Sequence, residues 1–141
     1  MSADTGRPLP DDEYRSLAQF RYALRRFLAF SEDAARRQGL TPSQHQLLLT
    51  VRGAEATGST PSLTDIAKQL QVRLHSAGEL VGRAVEYGLI ERRPDPNDAR
   101  RVLVTTTDEG RAHLEELSQL HRRELRRFRT EMNQVLSTID E

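Results

Sequence analysis

The segment DPNDARRVLVTTT, residues 95–107, falls into two chemically different halves. Its first half is rich in charge and in turn-forming residues, whereas its second half is β-branched and alternates with a two-residue period. Together with LIERR, residues 89–93, it predicts a β-hairpin whose strands flank the turn PDPND. Arg100 and Arg101 stand between the two halves, so the hairpin is expected to present cations near its tip.

Helical patterns precede the hairpin. Residues 14–37 carry apolar side chains at i, i+3 and i+4 spacing, which predicts a long helix. Thr41 and Gln44 form a capping-box pattern at the start of a second helix, and Gly53 is expected to end that helix. The loop that follows is expected to end in a short extended piece.

Two further helices are predicted next to the hairpin. Ser62 and Asp65 are expected to cap the short helix LTDIAKQL, and the connection QVR leads to LHSAGELVGRAVEYG. After the hairpin, Thr107 is expected to cap a last helix. Apolar residues then recur with helical spacing nearly to residue 141. The spacing leaves open whether this last stretch is one helix or two.

The totals exclude several classes of protein. The 141 residues have a formal net charge of zero and contain no cysteine, which excludes disulfide frameworks and thiolate metal sites. No stretch reaches about 18 consecutive apolar residues, so no membrane span is expected. The start, MSADTGRPLPDDE, has no apolar signal core and is expected to be a disordered lead, with cytoplasmic localisation as the default.

A short helix, a tight turn, a second helix and a β-hairpin form the order of a winged helix-turn-helix. In such a fold the second helix can enter the major groove of DNA, where each base pair displays a distinct donor and acceptor pattern. The hairpin, or wing, can place an arginine in a narrow minor groove, where the potential is negative. The sequence therefore predicts a mainly α fold with a small β-hairpin wing (α+β).

The wing sequence resembles that of the MarR (multiple-antibiotic-resistance regulator) family of transcription factors. That family carries Asp-x-Arg, a valine, a threonine and a glycine, and this chain has Asp98-Ala99-Arg100, Val104, Thr107 and Gly110 at the same spacing. IAKQLQV is also similar to the family's first motif helix, and GLIERR is similar to its first wing strand. Two departures are Thr106, where a leucine is usual, and Gly78-Glu79, where small hydroxyl and basic residues are frequent.

The resemblance implies a domain division and a mode of assembly. Residues 1–11 are predicted to be the disordered lead, and residues 41–107 the winged helix-turn-helix DNA-binding domain. Residues 12–40 and 108–141 are predicted to form a helical dimerisation region, in which N- and C-terminal helices interlock across a twofold axis. The implied function is that of a homodimeric transcriptional regulator, expected to be a repressor, that acts on a pseudo-palindromic operator in double-stranded DNA.

The predicted DNA contacts lie in the wing and in the second motif helix. Arg100 is expected to enter the minor groove and Asp98 to orient its guanidinium. Arg101 is expected to point to the opposite side and to touch phosphate or nothing. Each candidate on the helix could equally belong to an exposed polar surface. Residues 73–101 hold six basic and five acidic residues, a net charge of only +1. The helix candidates are Arg73, His75, Ser76, Glu79 and Arg83.

The family resemblance also implies a small, often aromatic, effector. The residues predicted to line its pocket are Phe20, Arg21, Phe27, His45 and His121. Aromatic stripes on helices are, however, more often part of the hydrophobic core. His113 with Glu116, and His121 with Glu124, have the i, i+3 spacing of metal pairs but lack a third ligand, so neither a metal nor a cofactor is predicted.

Two other classes of function compete with DNA binding. A winged-helix protein-interaction module without DNA binding is favoured by the zero net charge and by Glu79. An enzyme is disfavoured, because the sequence has no nucleophile elbow, phosphate loop or cysteine.

Overall fold

Five helices and one antiparallel hairpin make up the chain in a computed structural model that describes residues 6–139. The mainly helical fold with a small β-hairpin is confirmed, and the last helical stretch is one continuous helix. Residues 1–5 of the predicted lead and residues 140–141 lie outside the described residues. The elements are α1 (Asp11–Arg37), α2 (Pro42–Ala56), α3 (Leu63–Leu70), α4 (Leu74–Glu86), β1 (Ile90–Asp95), β2 (Asp98–Thr106) and α5 (Asp108–Leu136).

Reciprocal capping boxes start α2 and α3, as the sequence predicts. The backbone N–H of Gln44 donates to Thr41 Oγ1 at 3.1 Å, and the Thr41 N–H donates to Gln44 Oε1 at 3.0 Å. The same exchange joins Ser62 and Asp65 at 3.1 and 2.9 Å. Each box satisfies backbone donors that a helix start would otherwise leave unpaired.

Two predicted helix boundaries were wrong. Helix α2 continues through Gly53 to Ala56, and the left-handed residue that follows it is Gly58, with φ of 85°. A glycine inside a helix costs only about 1 kcal/mol, and the fully buried Val51 beside it favours keeping the helix intact. Helix α1 begins at Asp11 instead of Tyr14, with three acidic residues in its first turn, where they complement the helix dipole.

The turn between α3 and α4 is very short. Gln71 adopts a left-handed conformation with φ of 57°, which is uncommon for a residue with a side chain. The Val72 N–H donates to the Ala67 carbonyl at 3.0 Å and so closes the end of α3. This turn sets the direction of α4 relative to α3 in the helix-turn-helix.

The hairpin is held to α3 by its second strand. Strands β1 and β2 pair antiparallel, with Arg92 opposite Val104, and the register shifts after Pro94. On its other edge β2 bridges to Ser62, and the Val104 N–H donates to the Pro61 carbonyl at 3.0 Å. The predicted extended piece before α3 is thus the third, very short member of the wing sheet.

Contacts divide the chain into two units. Residues 32–119 contain the winged helix and its core, formed by fully buried side chains that include Leu47, Leu48, Ile66, Val104 and Leu117. The second unit comprises residues 6–31 and 120–139, in which Ala23 and Val135 are buried. No helix in residues 6–139 has the length and apolar character needed to cross a membrane.

The second unit is held by a few polar and aromatic contacts. Arg26 forms an ion pair with Glu131, and Ser16 hydrogen-bonds Thr138. Most large apolar side chains of the unit stay exposed in the single chain. They are Leu9, Tyr14, Leu17, Phe20, Tyr22, Leu28, Leu120, Leu125, Leu136 and Ile139.

The start of α5 lies against the end of α4. Thr107 caps α5 by accepting from the Gly110 N–H at 3.0 Å, and its hydroxyl donates to the Gly88 carbonyl at 2.6 Å. A Cβ at Gly110 would lie 2.2 Å from the Leu89 carbonyl oxygen, so only glycine fits here without a shift of backbone. The threonine and glycine of the wing motif therefore fix the exit of the hairpin into α5.

Candidate nucleic-acid interface

Helix α4 has one buried and one open face. Ala77, Val81 and Ala84 are buried against the core, and the predicted contact residues lie on the solvent side. Arg73 occupies the N-cap position, makes no side-chain cap bond and is exposed. The exposed residues of this outer face are His75, Ser76, Glu79, Arg83 and Glu86.

Two of these outer residues are paired. His75 Nε2 lies 3.0 Å from Glu79 Oε1, and the two side chains are 88% and 56% exposed. Residues four apart on a helix are neighbours, so the pair follows from the spacing. The pair lies on the open side of α4, with the Glu79 carboxylate beside the imidazole ring of His75.

Arg100 lies at the end of the wing with its side chain 93% exposed. Its backbone N–H donates to Asp98 Oδ1 at 3.1 Å, and its Nε lies 3.3 Å from the same oxygen. Asp98 therefore orients Arg100 through both backbone and side chain, which is the arrangement expected from the sequence. The terminal guanidinium nitrogens extend into solvent, where they can meet an anionic partner.

Arg101 faces the opposite way, towards α3. Its Nη2 lies 3.4 Å from Asp65 Oδ2, its Nε lies 4.0 Å from Asp95 Oδ2, and its side chain is 49% exposed. Backbone hydrogen bonding from Ser62, followed by the Ser62 hydroxyl and Arg101, lowers the pKa of Asp65 despite partial burial, so the pair stays charged. Arg101 thus attaches the wing to α3.

A polar cluster at the wing base was not foreseen from the sequence. Glu55 Oε2 accepts from the Thr106 backbone N–H at 3.0 Å, and Oε1 accepts from its hydroxyl at 2.6 Å. Arg111 Nε donates to the same hydroxyl at 2.9 Å. The only sequence signal was Thr106 itself, a polar residue where the resembled family has leucine. The cluster ties α2, β2 and α5 together.

Arg92 was also missed. Its Nη1 would lie 3.9 Å from a Cβ at Gly82, so its guanidinium runs along the side of α4. It occupies the strand position opposite Val104 and is exposed. No periodicity distinguishes Arg92 from Arg93, because the contact depends on how the hairpin packs against α4.

Among the predicted effector residues, Phe27 and His121 are in contact. Their rings lie 6.0 Å apart edge to face, and His121 Nε2 lies 2.8 Å from Ser31 Oγ. Phe20 and Arg21 lie nearer the start of α1 and are exposed. His45 is buried in α2, in the unit that contains the winged helix.

The residues weighed as metal pairs have other partners. His113 Nδ1 lies 3.0 Å from Gln38 Oε1, and the Gln38 amide donates to Glu116 Oε2 at 2.6 Å. Within residues 6–139, no group of three histidine, aspartate or glutamate side chains is arranged to hold a metal ion.

Comparison with known proteins matches the part of the chain that carries this surface. The sequence profile described as the MarR family matches residues 38–101. The multiple antibiotic resistance protein MarR of Escherichia coli (strain K12) is 37% identical over 81 residues, which cover 57% of this chain and 54% of that protein. The chain thus matches about half the length of this curated relative. MarR of Salmonella typhimurium is 36% identical over 80 residues.

Solved structures extend the likeness to the whole fold. AbsC of Streptomyces coelicolor, a MarR family transcriptional regulator, superposes with a TM-score of 0.73 at 19% identity, covering 89% of this chain and 84% of that one. A mutant MarR from E. coli complexed with operator DNA gives a TM-score of 0.61 at 27% identity, covering 71% and 69%. BpsR of Bordetella bronchiseptica, whose DNA binding is regulated by 6-hydroxynicotinic acid, gives 0.61 at 27% identity, covering 77% and 79%. The profile match, these relatives and the wing motif agree, and residues 38–101 of the chain are similar to the MarR family of winged-helix proteins.

Proposed function

We propose that the protein is a homodimeric, sequence-specific DNA-binding transcriptional repressor that responds to a small aromatic effector. The observation that carries the proposal is Arg100, a nearly fully exposed guanidinium that Asp98 orients at the end of the wing. An isolated surface arginine gains little from such an ion pair, so fold stability does not explain the arrangement. A narrow minor groove is the partner that an oriented, solvated guanidinium fits. The MarR structure in complex with operator DNA supports the same partner.

The second unit supports assembly as a homodimer. Ten of its large apolar side chains are exposed in the single chain, including Leu17, Phe20 and Leu28 of α1. Soluble monomers rarely leave so much apolar surface open in one region. A second copy of the same helices would cover it and would present two α4 helices to successive major grooves of a pseudo-palindromic site.

An aromatic effector is proposed to bind beside Phe27 and His121. The His121 ring meets Phe27 and Phe30 edge to face, at 6.0 and 5.4 Å, and Phe128 lies 5.3 Å from Phe27. An aromatic ligand could stack in such a cluster, and the regulation of BpsR by 6-hydroxynicotinic acid is consistent with this class of effector. Binding there would shift the population towards a dimer that fits DNA poorly.

The deciding experiment is a titration of the protein against its own upstream intergenic DNA at several salt concentrations. Counterion release predicts that affinity falls as salt rises. Arg100→Ala should weaken binding about tenfold or more, since it removes a groove contact from each half-site. Arg100→Lys keeps the charge but loses the planar guanidinium group. Its affinity for DNA should therefore lie between those of the wild type and Arg100→Ala.

The matched control is Arg15→Ala, which removes one exposed arginine from α1. If Arg100→Ala and Arg15→Ala lower the affinity for DNA by the same small factor, the wing assignment is wrong. If the wild type binds no DNA at low salt, a protein-interaction module becomes the better reading. A sedimentation mass of one chain at micromolar concentration would contradict the dimer, and His121→Ala with an unchanged effector response would remove His121 from the pocket.

A further inference from the structure

The centre of the outer face of α4 holds a carboxylate, where a DNA-binding surface is expected to be cationic. Glu79 lies opposite the buried stripe of Ala77, Val81 and Ala84, because residues two and five positions away along a helix point to the other side. Its side chain is 56% exposed and sits in the first half of α4. The first half of a recognition helix is the part that contacts base edges.

We propose that Glu79 determines sequence specificity by accepting a hydrogen bond from the exocyclic amino group of a cytosine in the major groove, with His75 as its positioning residue. This inference rests on the proposed DNA binding and adds to it one base that the operator must contain. Cytosine presents an amino donor in this groove without an acceptor on the same base edge, whereas adenine presents its amino donor beside the N7 acceptor. Guanine and thymine present acceptors that would repel a carboxylate.

The contact with His75 leaves one carboxylate oxygen available. His75 Nε2 lies 3.0 Å from Glu79 Oε1, and within residues 6–139 Glu79 makes no other side-chain hydrogen bond or ion pair. Oε2 is therefore the acceptor that faces solvent. Holding a flexible side chain in one conformation before binding lowers the entropy lost when it meets a base.

Arginines on both sides reduce the repulsion between Glu79 and the phosphates. Arg83 follows one turn later and is exposed. Arg92 runs beside Gly82, where its Nη1 would lie 3.9 Å from an added Cβ. A carboxylate between two guanidinium groups can read a base while the arginines meet the backbone on either side.

The test is selection of preferred sites from a randomised duplex library by the wild-type protein and by Glu79→Gln. The wild type should enrich cytosine at one position in each half-site. Glutamine keeps the length of the side chain but pairs with adenine through its amide, so the preference at that position should change from cytosine to adenine. On the wild-type site, Glu79→Gln should bind about tenfold more weakly, within the range expected for one specific base contact.

Glu86→Gln is the matched control, because it removes the same charge from the same face of α4 two turns later. It should keep the cytosine preference. His75→Ala should reduce discrimination at this single position several-fold, and His75→Gln, which can still donate to Glu79, should restore part of it. All three side chains are exposed, and unchanged circular dichroism would show that the four variants fold.

The outcomes separate this inference from the proposed function. A change of preference at one position in Glu79→Gln, absent in Glu86→Gln, supports base reading. If both variants bind every sequence more tightly with unchanged preferences, Glu79 is only a repulsive charge and the inference is overturned while DNA binding stands. Failure of the wild type to bind any duplex at low salt overturns the proposed function, and the base-reading role with it.

Discussion

Gly110→Ala should destabilise the fold, although alanine is the better helix former. An added Cβ would lie 2.2 Å from the Leu89 carbonyl oxygen, whereas an ordinary carbon–oxygen contact is about 3.3 Å, so backbone must move by roughly 1 Å. Leu48 Cδ2, at 3.0 Å, closes a second direction. Overpacking of this kind costs about 1–3 kcal/mol, and the upper end applies because the obstacle is main chain.

The same movement weakens a hydrogen bond. The Leu89 carbonyl accepts from the Thr107 N–H at 3.1 Å, and losing part of that bond adds up to about 1 kcal/mol. Alanine's advantage in a helix returns about 1 kcal/mol at most. The net expectation is a loss of about 3 kcal/mol in the free energy of unfolding, or a fall in Tm of about 6–12 °C.

Gly53→Ala is the matched comparison and should have the opposite sign. Gly53 lies inside α2, and an added Cβ would meet nothing within 4 Å. We expect a gain of about 0.5–1 kcal/mol from helix propensity alone. Urea unfolding followed by circular dichroism at one fixed protein concentration measures both variants, since dimerisation makes stability depend on concentration. If Gly110→Ala proves as stable as Gly53→Ala, the close approach to Leu89 is not real.

Two further substitutions test the polar contacts of the wing. Glu55→Gln should cost about 1–3 kcal/mol in urea unfolding, because an amide cannot accept from both the N–H and the hydroxyl of Thr106; an unchanged midpoint would show that the cluster contributes nothing. Asp65→Asn should be less stable than the wild type near pH 6. The lowered pKa of Asp65 adds stability above its ordinary value of 3.8, which is lost as pH falls through the folded value. The gap in Tm should therefore close below pH 3.8, and a constant gap would contradict the role of its charge.

Local signals allowed the sequence to predict the helix starts. The two capping boxes depend on residues three apart, so Thr41 with Gln44 and Ser62 with Asp65 could be read directly and appear as reciprocal bonds. The end of α2 could not be read in this way. Gly53 is a local stop signal, but the burial of Val51 and its neighbours against other elements decides where the helix ends.

The tertiary partners of polar residues were beyond sequence reasoning. Arg101 and Asp65 are separated by 36 positions, and Thr106 and Glu55 by 51. Neither pair has a periodic signature, because each depends on the register of β2 against the segment before α3. The strand alternation did predict that Arg100 and Arg101 face opposite ways, but it could not say which of them meets α3.

This division between the two arginines bears on the low net charge of residues 73–101. The count of six basic against five acidic residues treats all eleven as equal. In the structure, Asp95 shares Arg101 with Asp65, and Asp98 orients Arg100 while leaving its terminal nitrogens in solvent. Binding in a DNA groove depends on the charged side chains that face the groove and can be desolvated there. The net charge of residues 73–101 does not show which side chains these are. Arg100 can therefore act on DNA in a chain whose overall charge is zero.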